Sequence, residues 1–343
     1  MGSPEFWLSL APVARAGDSA LTANVVERQG WDGLCLSDSQ HLAPDVFVAL
    51  GLAAAATTTL RLATGVANTA TREMAVLASA IGAVHVESDG RAILGMGRGD
   101  SALAHLGRHP VPVDGFERSL RQLRAYLNGE VVAEHDHPAT VRWLRATRLA
   151  PVLLDVAATG PKVIAAAART ADMITFAVGA SSDRLRDGIA IARQARAAAG
   201  GDPDTLRFGA WVNMSAHPDS AVARTVVRGR ASTFARFSAM HGAPTERLDP
   251  HTAQEVATLV THYELATHGQ SDSPQAVSLS DEFLDQFAIV GEPSMCAERL
   301  GALLAAVPEL ERIVVASGHR GAHEAQRAEV QACMAEQVLP AIR

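Results

Sequence analysis

The stretch GLCLSDSQHLAPDVFVALGLAAAATTTLRLATGVANTATREMAVLASAIGAVHVESDGRAILGM, from Gly33 to Met96, decides the fold. It holds three short apolar runs, Gly33–Leu36, Leu60–Val66 and Ala92–Met96, separated by longer segments of helical periodicity near Pro44–Thr57 and Arg72–Glu87. Short apolar runs that alternate with helices predict parallel strands buried on both faces, each followed by the crossover helix that a parallel pair requires. Upstream, Trp7–Leu10 and a helix over Asp18–Gln29 form one more such unit. Downstream come helical stretches at Ser101–Leu106 and Phe116–Asn128, and then a loop rich in His, Arg and Pro. The rhythm resumes with strand Val152–Ala157, helix Lys162–Arg169, strand Met173–Phe176, helix Asp183–Ala199, strand Phe208–Met214 and helix Ser220–Met240. From Gly242 to Val290 polar, His-containing sequence breaks it, before a helix at Pro293–Ala306 and a last strand at Arg312–Val315.

Eight strands in this length, with no compositional boundary, predict an α/β fold of the (β/α)8 TIM-barrel type. Residues 7–343 are expected to form one domain, with an insertion at about 242–290 ahead of strand eight. Residues 1–6, which include GSPEF at Gly2–Phe6, read as a remnant of expression cloning and are set aside.

Composition narrows the function. The chain has 343 residues, 48% of them hydrophobic, enough for a large core. Thirty Lys plus Arg against 37 Asp plus Glu give a net charge of -7 without a basic block, which excludes nucleic acid as the expected partner. Lys162 is the only lysine, a bias of GC-rich coding more than of function. Cys35, Cys296 and Cys333 lie far apart and form no CxxC pair, as expected of reduced thiols in a cytoplasmic protein. No basic stretch precedes an apolar run near the N-terminus, and no apolar run approaches roughly 18 residues, so neither export nor a membrane is expected. G-x-S-x-G, Walker and H-E-x-x-H patterns are absent, which disfavours the hydrolases built on them.

In such a barrel, ligands are held where strands run into the following loops. After strand two, Leu36–His41 offers Asp38 and His41, a carboxylate and an imidazole able to hydrogen-bond a cofactor or move a proton; a helix cap and a solvated loop residue account for them equally well. After strand three, Thr64-Gly65-Val66-Ala67-Asn68 combines small residues that admit a flat ring with an amide that both donates and accepts, although a plain turn has the same composition. After strand four, Gly95-Met96-Gly97-Arg98-Gly99-Asp100-Ser101 places glycines at alternate positions beside an arginine and ahead of a helix, as an anion site would. This is not the dinucleotide spacing. After strand five, Thr159-Gly160-Pro161 opens a helix with proline in its first turn, and after strand six comes Val178-Gly179. Both suit a phosphate, a recurrent ligand near the later strands of barrels. His135-Asp136-His137 has the look of a metal half-site, but a loop or lid role outweighs it, and His241, His251, His262 and His268 read as a polar surface on the insertion.

Together these junctions resemble the luciferase-like superfamily, and within it the branch of deazaflavin-dependent methylenetetrahydromethanopterin reductases. The resemblance is carried by TGVANTATREMAVLASA (Thr64–Ala80), GRAILGMGRGDSALAHLGRHPVPVDGFERSLRQLRAYLNGE (Gly90–Glu130) and VAATGPKVIAAAARTADMITFAVGA (Val156–Ala180). FARFSAMHG (Phe234–Gly242) and DEFLDQFAIVGEP (Asp281–Pro293) add to it. It implies an isoalloxazine-type ring against strand three, with the non-prolyl cis peptide of relatives matched at Gly65-Val66 and with Ala67 and Asn68 beside it. It also implies that Gly97, Arg98, Gly99, Asp100 and Ser101, then Thr159, Gly160 and Pro161, then Val178 and Gly179, hold the ribityl phosphate.

Two departures stand out. Many relatives carry Asp-His or Glu-His after strand two where this chain has Asp38-Ser39, which leaves His41 as the available imidazole. Relatives also tend to read N-P-x-T-R-H-P where this chain reads Asn68-Thr69-Ala70-Thr71-Arg72-Glu73-Met74. The resemblance implies an enzyme that transfers hydride between reduced coenzyme F-420, a deazaflavin, and a small organic substrate. The alternative is a two-component monooxygenase using reduced FMN, supplied by a separate flavin reductase, together with oxygen. The altered loops also motivate a non-catalytic flavin-binding barrel. The resemblance further implies a homodimer.

Overall fold

A computed structural model describes residues 3–134, 136–239, 250–318 and 323–343. His135 and His241, and the Met240–Gly242 end of the FARFSAMHG segment, lie outside the described residues. Among the described residues eight strands form the parallel barrel, β1 (Glu5–Leu10), β2 (Gly33–Leu36), β3 (Arg61–Thr64), β4 (Ala92–Gly97), β5 (Leu153–Ala158), β6 (Met173–Phe176), β7 (Arg207–Ala216) and β8 (Leu310–Ala316), and two short segments, Ala67–Asn68 and Ile289–Gly291, pair in parallel with β4 and β7. The helices are α1 (Asp18–Arg28), α2 (Val46–Ala56), α3 (Met74–Glu87), α4 (Val113–Leu127), α5 (Pro161–Ala168), α6 (Ser182–Ala198), α7 (Ser220–Ala239), α8 (Pro250–Thr261), α9 (Asp281–Phe287), α10 (Pro293–Ala306) and α11 (Glu324–Cys333), with shorter turns between them. Strands and helices alternate as a (β/α)8 barrel demands, and that is the fold.

The chain divides into two compact units, one of residues 11–175 and 189–207, the other of residues 1–10, 176–188 and 208–343. In the first, β2 pairs with β3 from Gly33 opposite Arg61 to Leu36 opposite Thr64, and β4 pairs with β5 from Ile93 opposite Leu153 to Met96 opposite Val156. All residues of β2 and β4 are buried, which is why they read as unbroken apolar runs. Asp45 starts α2 by accepting from the amides of Phe47 and Val48. Buried Phe116, Leu120, Leu123 and Leu127 make one stripe along α4, the spacing of a helix docked on a core. The entry to β3 is pinned by Glu27, whose carboxylate accepts from the amides of Thr58, Thr59 and Leu60.

In the second unit β1 pairs with β8 from Glu5 opposite Arg312 to Leu8 opposite Val315, and β8 with β7 as far as Ala316 opposite Asn213. The described part of the expected insertion has its own apolar core: Val256 and Leu259 of α8 and Phe283 and Phe287 of α9 bury against Val227, Ala231 and Phe234 of α7.

Several boundaries differ from the sequence reading. β1 begins at Glu5, inside the pentapeptide set aside, and Phe6 is fully buried beneath the Arg343 guanidinium. The expected strand Leu60–Val66 ends at Thr64; the Gly65-Val66 peptide is cis, and Ala67 and Asn68 then pair with Met96 and Gly97 of β4. The expected loop after α4 contains an antiparallel pair, Val132–Glu134 with His137–Ala139, and a 3-10 turn at Arg142–Ala146. No helix among the described residues is long and apolar enough to cross a membrane, and Cys35, Cys296 and Cys333 are buried free thiols.

Candidate active site

The loops that follow β2, β3 and β4 converge within the first unit. Gln40 donates to the carbonyl of Ala102 at 2.9 Å, His41 stacks on His105 with ring centres 5.6 Å apart, and Arg108 donates to the carbonyl of Ala70 at 3.3 Å. Gly99, at φ +78, lies so close to the next loop that a Cβ would sit 3.3 Å from Asn68 Cβ and 2.7 Å from Leu103. The structure therefore brings Asp38, His41, Gly65–Asn68 and Gly97–Ser101 together at one end of the strands.

Their individual situations differ. Asp38 is buried, and its two oxygens accept from the two Nη groups of Arg72, which also reaches Asp45 at 2.8 Å and lies over the Phe47 ring. Burial pushes the Asp38 carboxyl above its ordinary value, with Arg72 opposing. Asp45, and not Asp38, caps the following helix. His41 is exposed, and among the described residues no hydrogen bond joins it to Asp38. Asn68 is buried, and its Oδ1 accepts from the amides of Ala70 and Thr71 at 3.0 and 3.1 Å, so its acceptor is spent on the loop and its amide group is left to donate.

The alternating glycines of β4 have a second reason to be there. A Cβ on Gly95 would overlap the Thr64 carbonyl oxygen, and one on Gly97 would lie 2.7 Å from Val66 Cγ2. Both therefore serve the close approach of β3 to β4. Arg98 donates from Nε to the carbonyl of Val111 at 2.6 Å, and the Val111 amide returns a bond to the Arg98 carbonyl. This tie closes the segment that carries Asp100 and Ser101, where Ser101 opens a single helical turn ending at Ala104.

Gly160 is different. It precedes α5, with Pro161 in the first turn and with Val163 and Ile164 donating to its carbonyl, at an ordinary φ of -91. A Cβ there would meet no atom within 4 Å, so nothing in the protein requires the glycine. In the second unit Gly179 adopts φ +77, and a Cβ would press on the Phe234 ring at 3.1 Å, while Val178 beside it is buried.

Three residues escaped the sequence reading as binding groups. The hydroxyls of Ser39, Thr69 and Thr71 are closed off from solvent without a hydrogen-bond partner among the described residues, and they flank Asp38 and Asn68. Buried polar groups normally find partners, so an unpartnered set at one strand end is what a polar ligand would satisfy. The signal in sequence was only that Ser and Thr fill the two loops, which ordinary turns share. Among the described residues no group of three or more His, Cys, Asp or Glu gathers as metal ligands.

Residues 9–308 match the family model described as luciferase-like monooxygenase. The chain is 29% identical over 287 residues to the 5,10-methylenetetrahydromethanopterin reductase of Methanolobus tindarius, covering 82% of this chain and 85% of that one. Among solved structures, the coenzyme F-420 dependent tetrahydromethanopterin reductase of Methanopyrus kandleri superposes with a TM-score of 0.75 at 18% identity over all of both chains. The oxygenating constituent of 3,6-diketocamphane monooxygenase from Pseudomonas putida, solved with FMN, reaches 0.66 at 18% identity over 100% of this chain and 99% of that one. At such identities the superpositions speak for the fold, and the family match over residues 9–308 shows that the chain belongs to the luciferase-like monooxygenase family.

Proposed function

We propose that the chain is an oxidoreductase that binds coenzyme F-420 and uses it on a small organic substrate. The observation that carries this reading is the trio of unpartnered hydroxyls on Ser39, Thr69 and Thr71, all on the loops after β2 and β3, at the strand ends where barrels bind ligands. Gly65–Asn68 would back the ring, and Gly97–Ser101, Thr159–Pro161 and Val178–Gly179 would hold its phosphate-bearing chain. The open space at Gly160, ahead of the Lys162 amide in the first turn of α5, would admit an anion. When bound, the coenzyme supplies hydride transfer.

This chain's own groups bind and orient. Arg72 holds Asp38 as a fixed ion pair, so Asp38 acts by positioning the β2 loop and by presenting charge, and a proton that must move falls to His41 at the surface. The Asn68 amide and the Ser39, Thr69 and Thr71 hydroxyls are the groups of these loops that would donate to a bound polar ring. The family model and the FMN-bound relative support a second reading, a two-component monooxygenase that takes reduced FMN from a separate reductase. In either case we infer a cytoplasmic homodimer whose residues 7–343 form a single domain. Titration with FMN and with coenzyme F-420, followed by stopped-flow exposure of the reduced complexes to oxygen, separates them. Tight F-420 binding without oxygen reactivity supports the reductase, and an oxygen-reactive FMN complex supports the monooxygenase. Binding of neither leaves a non-catalytic barrel.

A further inference from the structure

At the carboxyl ends of β1 and β8, within the second unit, sits a cation that has no counter-charge among the described residues. Arg230, midway along α7, reaches β1, where its Nη2 lies 3.4 Å from Ser9 Oγ. That long bond is its only side-chain hydrogen bond among the described residues, and its Nε is closed off from solvent with no partner. Among the described residues no carboxylate forms an ion pair with it. The charged group that acts on it is Arg327 of α11, of the same sign, with the Tyr263 hydroxyl the other ionisable neighbour; burial first, and Arg327 next, push the guanidinium down to about 10.

The strand register shows what Arg230 faces. Trp7 lies opposite Val314, which lies opposite Trp211, and Ala316 lies opposite Asn213. Side chains in register across parallel strands share a face, and those two residues apart on a strand share it too, so Trp7, Ser9, Trp211, Asn213 and Ser215 lie on one face. Toward the strand ends that face turns from aromatic to polar. Ser9, Asn213 and Ser215 are buried there, and the hydroxyls of Ser215 and of Ser317, just past β8, have no partner among the described residues.

Arg230 is half-buried with its Nε closed off, and a guanidinium withdrawn from water is costly unless something neutralises it. A guanidinium fork matches the two oxygens of a carboxylate or phosphate, and neighbouring hydroxyls donate to the remaining lone pairs. Carboxyl ends of barrel strands are also where reacting molecules bind. We propose that Arg230, with the Ser9 hydroxyl, receives an oxyanion on the organic substrate, so that the substrate class is a small carboxylate or phosphate ester. Naming that molecule the substrate rests on the oxidoreductase reading; the binding of the anion does not.

The test uses the full chain without cofactor. Thermal unfolding is followed against inorganic phosphate and, separately, succinate, with ionic strength held constant by chloride. The wild type should be stabilised saturably by at least one, and the one that acts tells phosphate from carboxylate. Arg230→Met should weaken that anion about tenfold or more, while its midpoint without anion stays equal or rises, because an unneutralised cation has gone. Absence of saturable stabilisation in the wild type, or an unchanged response in Arg230→Met, overturns the proposal. Should Arg230→Met not fold, phenylglyoxal labelling of the wild type decides: slower labelling of Arg230 with the stabilising anion upholds it, and equal labelling overturns it. Because no coenzyme is present, this failure is distinct from failure to bind FMN or F-420.

Discussion

Adding one methyl group to Gly97 tests how the ring wall is built. Its Cβ would lie 2.7 Å from Val66 Cγ2, with Val66 Cβ, at 3.8 Å, the other neighbour within 4 Å. Non-bonded carbons rest at about 3.5–4.0 Å, so the overlap is about 1 Å and falls on a single methyl. Gly97→Ala should therefore cost about 2 kcal/mol, within the range for overpacked cores. Val66→Ala removes the obstruction and by itself costs about 1 kcal/mol. The double variant should then be only about 1 kcal/mol below wild type, a coupling of about 2 kcal/mol in place of additivity. Urea unfolding at constant slope reads these differences. For 343 residues the unfolding entropy is about 0.7 kcal/mol/K, so 2 kcal/mol appears as about 3 °C in Tm. Additive costs, with coupling below about 0.5 kcal/mol, would refute the packing role. FMN and F-420 affinity in the stability-restored double variant then shows whether Gly97 also touches the ligand.

Gly160→Ala meets no protein atom, so its Tm should stay within about 1 °C of wild type, while fluorescence titration should show cofactor affinity falling about tenfold for one lost charge-assisted amide bond; unchanged affinity would remove α5 from the site. Arg98→Ala should weaken cofactor binding by a similar factor of about ten if its Nη groups meet an anion, and an affinity equal to wild type would leave Arg98 as the tie to Val111 alone. The Arg169 hydrogen bond, with Arg121, holds Glu117 below the ordinary 4.5. A carboxylate whose folded value is lowered adds stability that is complete above the unfolded value and is lost as pH falls through the folded one. Glu117→Gln should thus cost about 1–2 kcal/mol at neutral pH and converge with wild type in acid; a gap independent of pH would contradict the ion-pair account.

Strand and helix alternation was legible because a parallel strand buried on both faces must be apolar throughout, as GLCL and AILGMG are. The hairpin after α4 was not, because its strands are only three residues long and His, Asp and Pro fall among them at 135–138. The alternating glycines were noticed as a ligand loop, and the structure adds a packing reason. Glycines two apart on a strand face one side, which already says that something approaches that side closely; only the fold shows that Thr64 and Val66 do so. Asp38 was visible, but its partner Arg72 is 34 residues away, and long-range ion pairs leave no local pattern. Ser39, Thr69 and Thr71 were unreadable for the opposite reason, since hydroxyls in turns are commonplace until their lack of partners is seen.

Where β3 meets β4, the surface behind the proposed ring is main chain: a carbonyl from Thr64, a peptide at Gly65-Val66, and glycines with no room for anything larger. Main chain is the one part of a protein that point mutation does not rewrite. A lineage built on this barrel can therefore drift in many side chains without losing the wall, provided that these glycines stay, and variation is tolerated best in loops away from it.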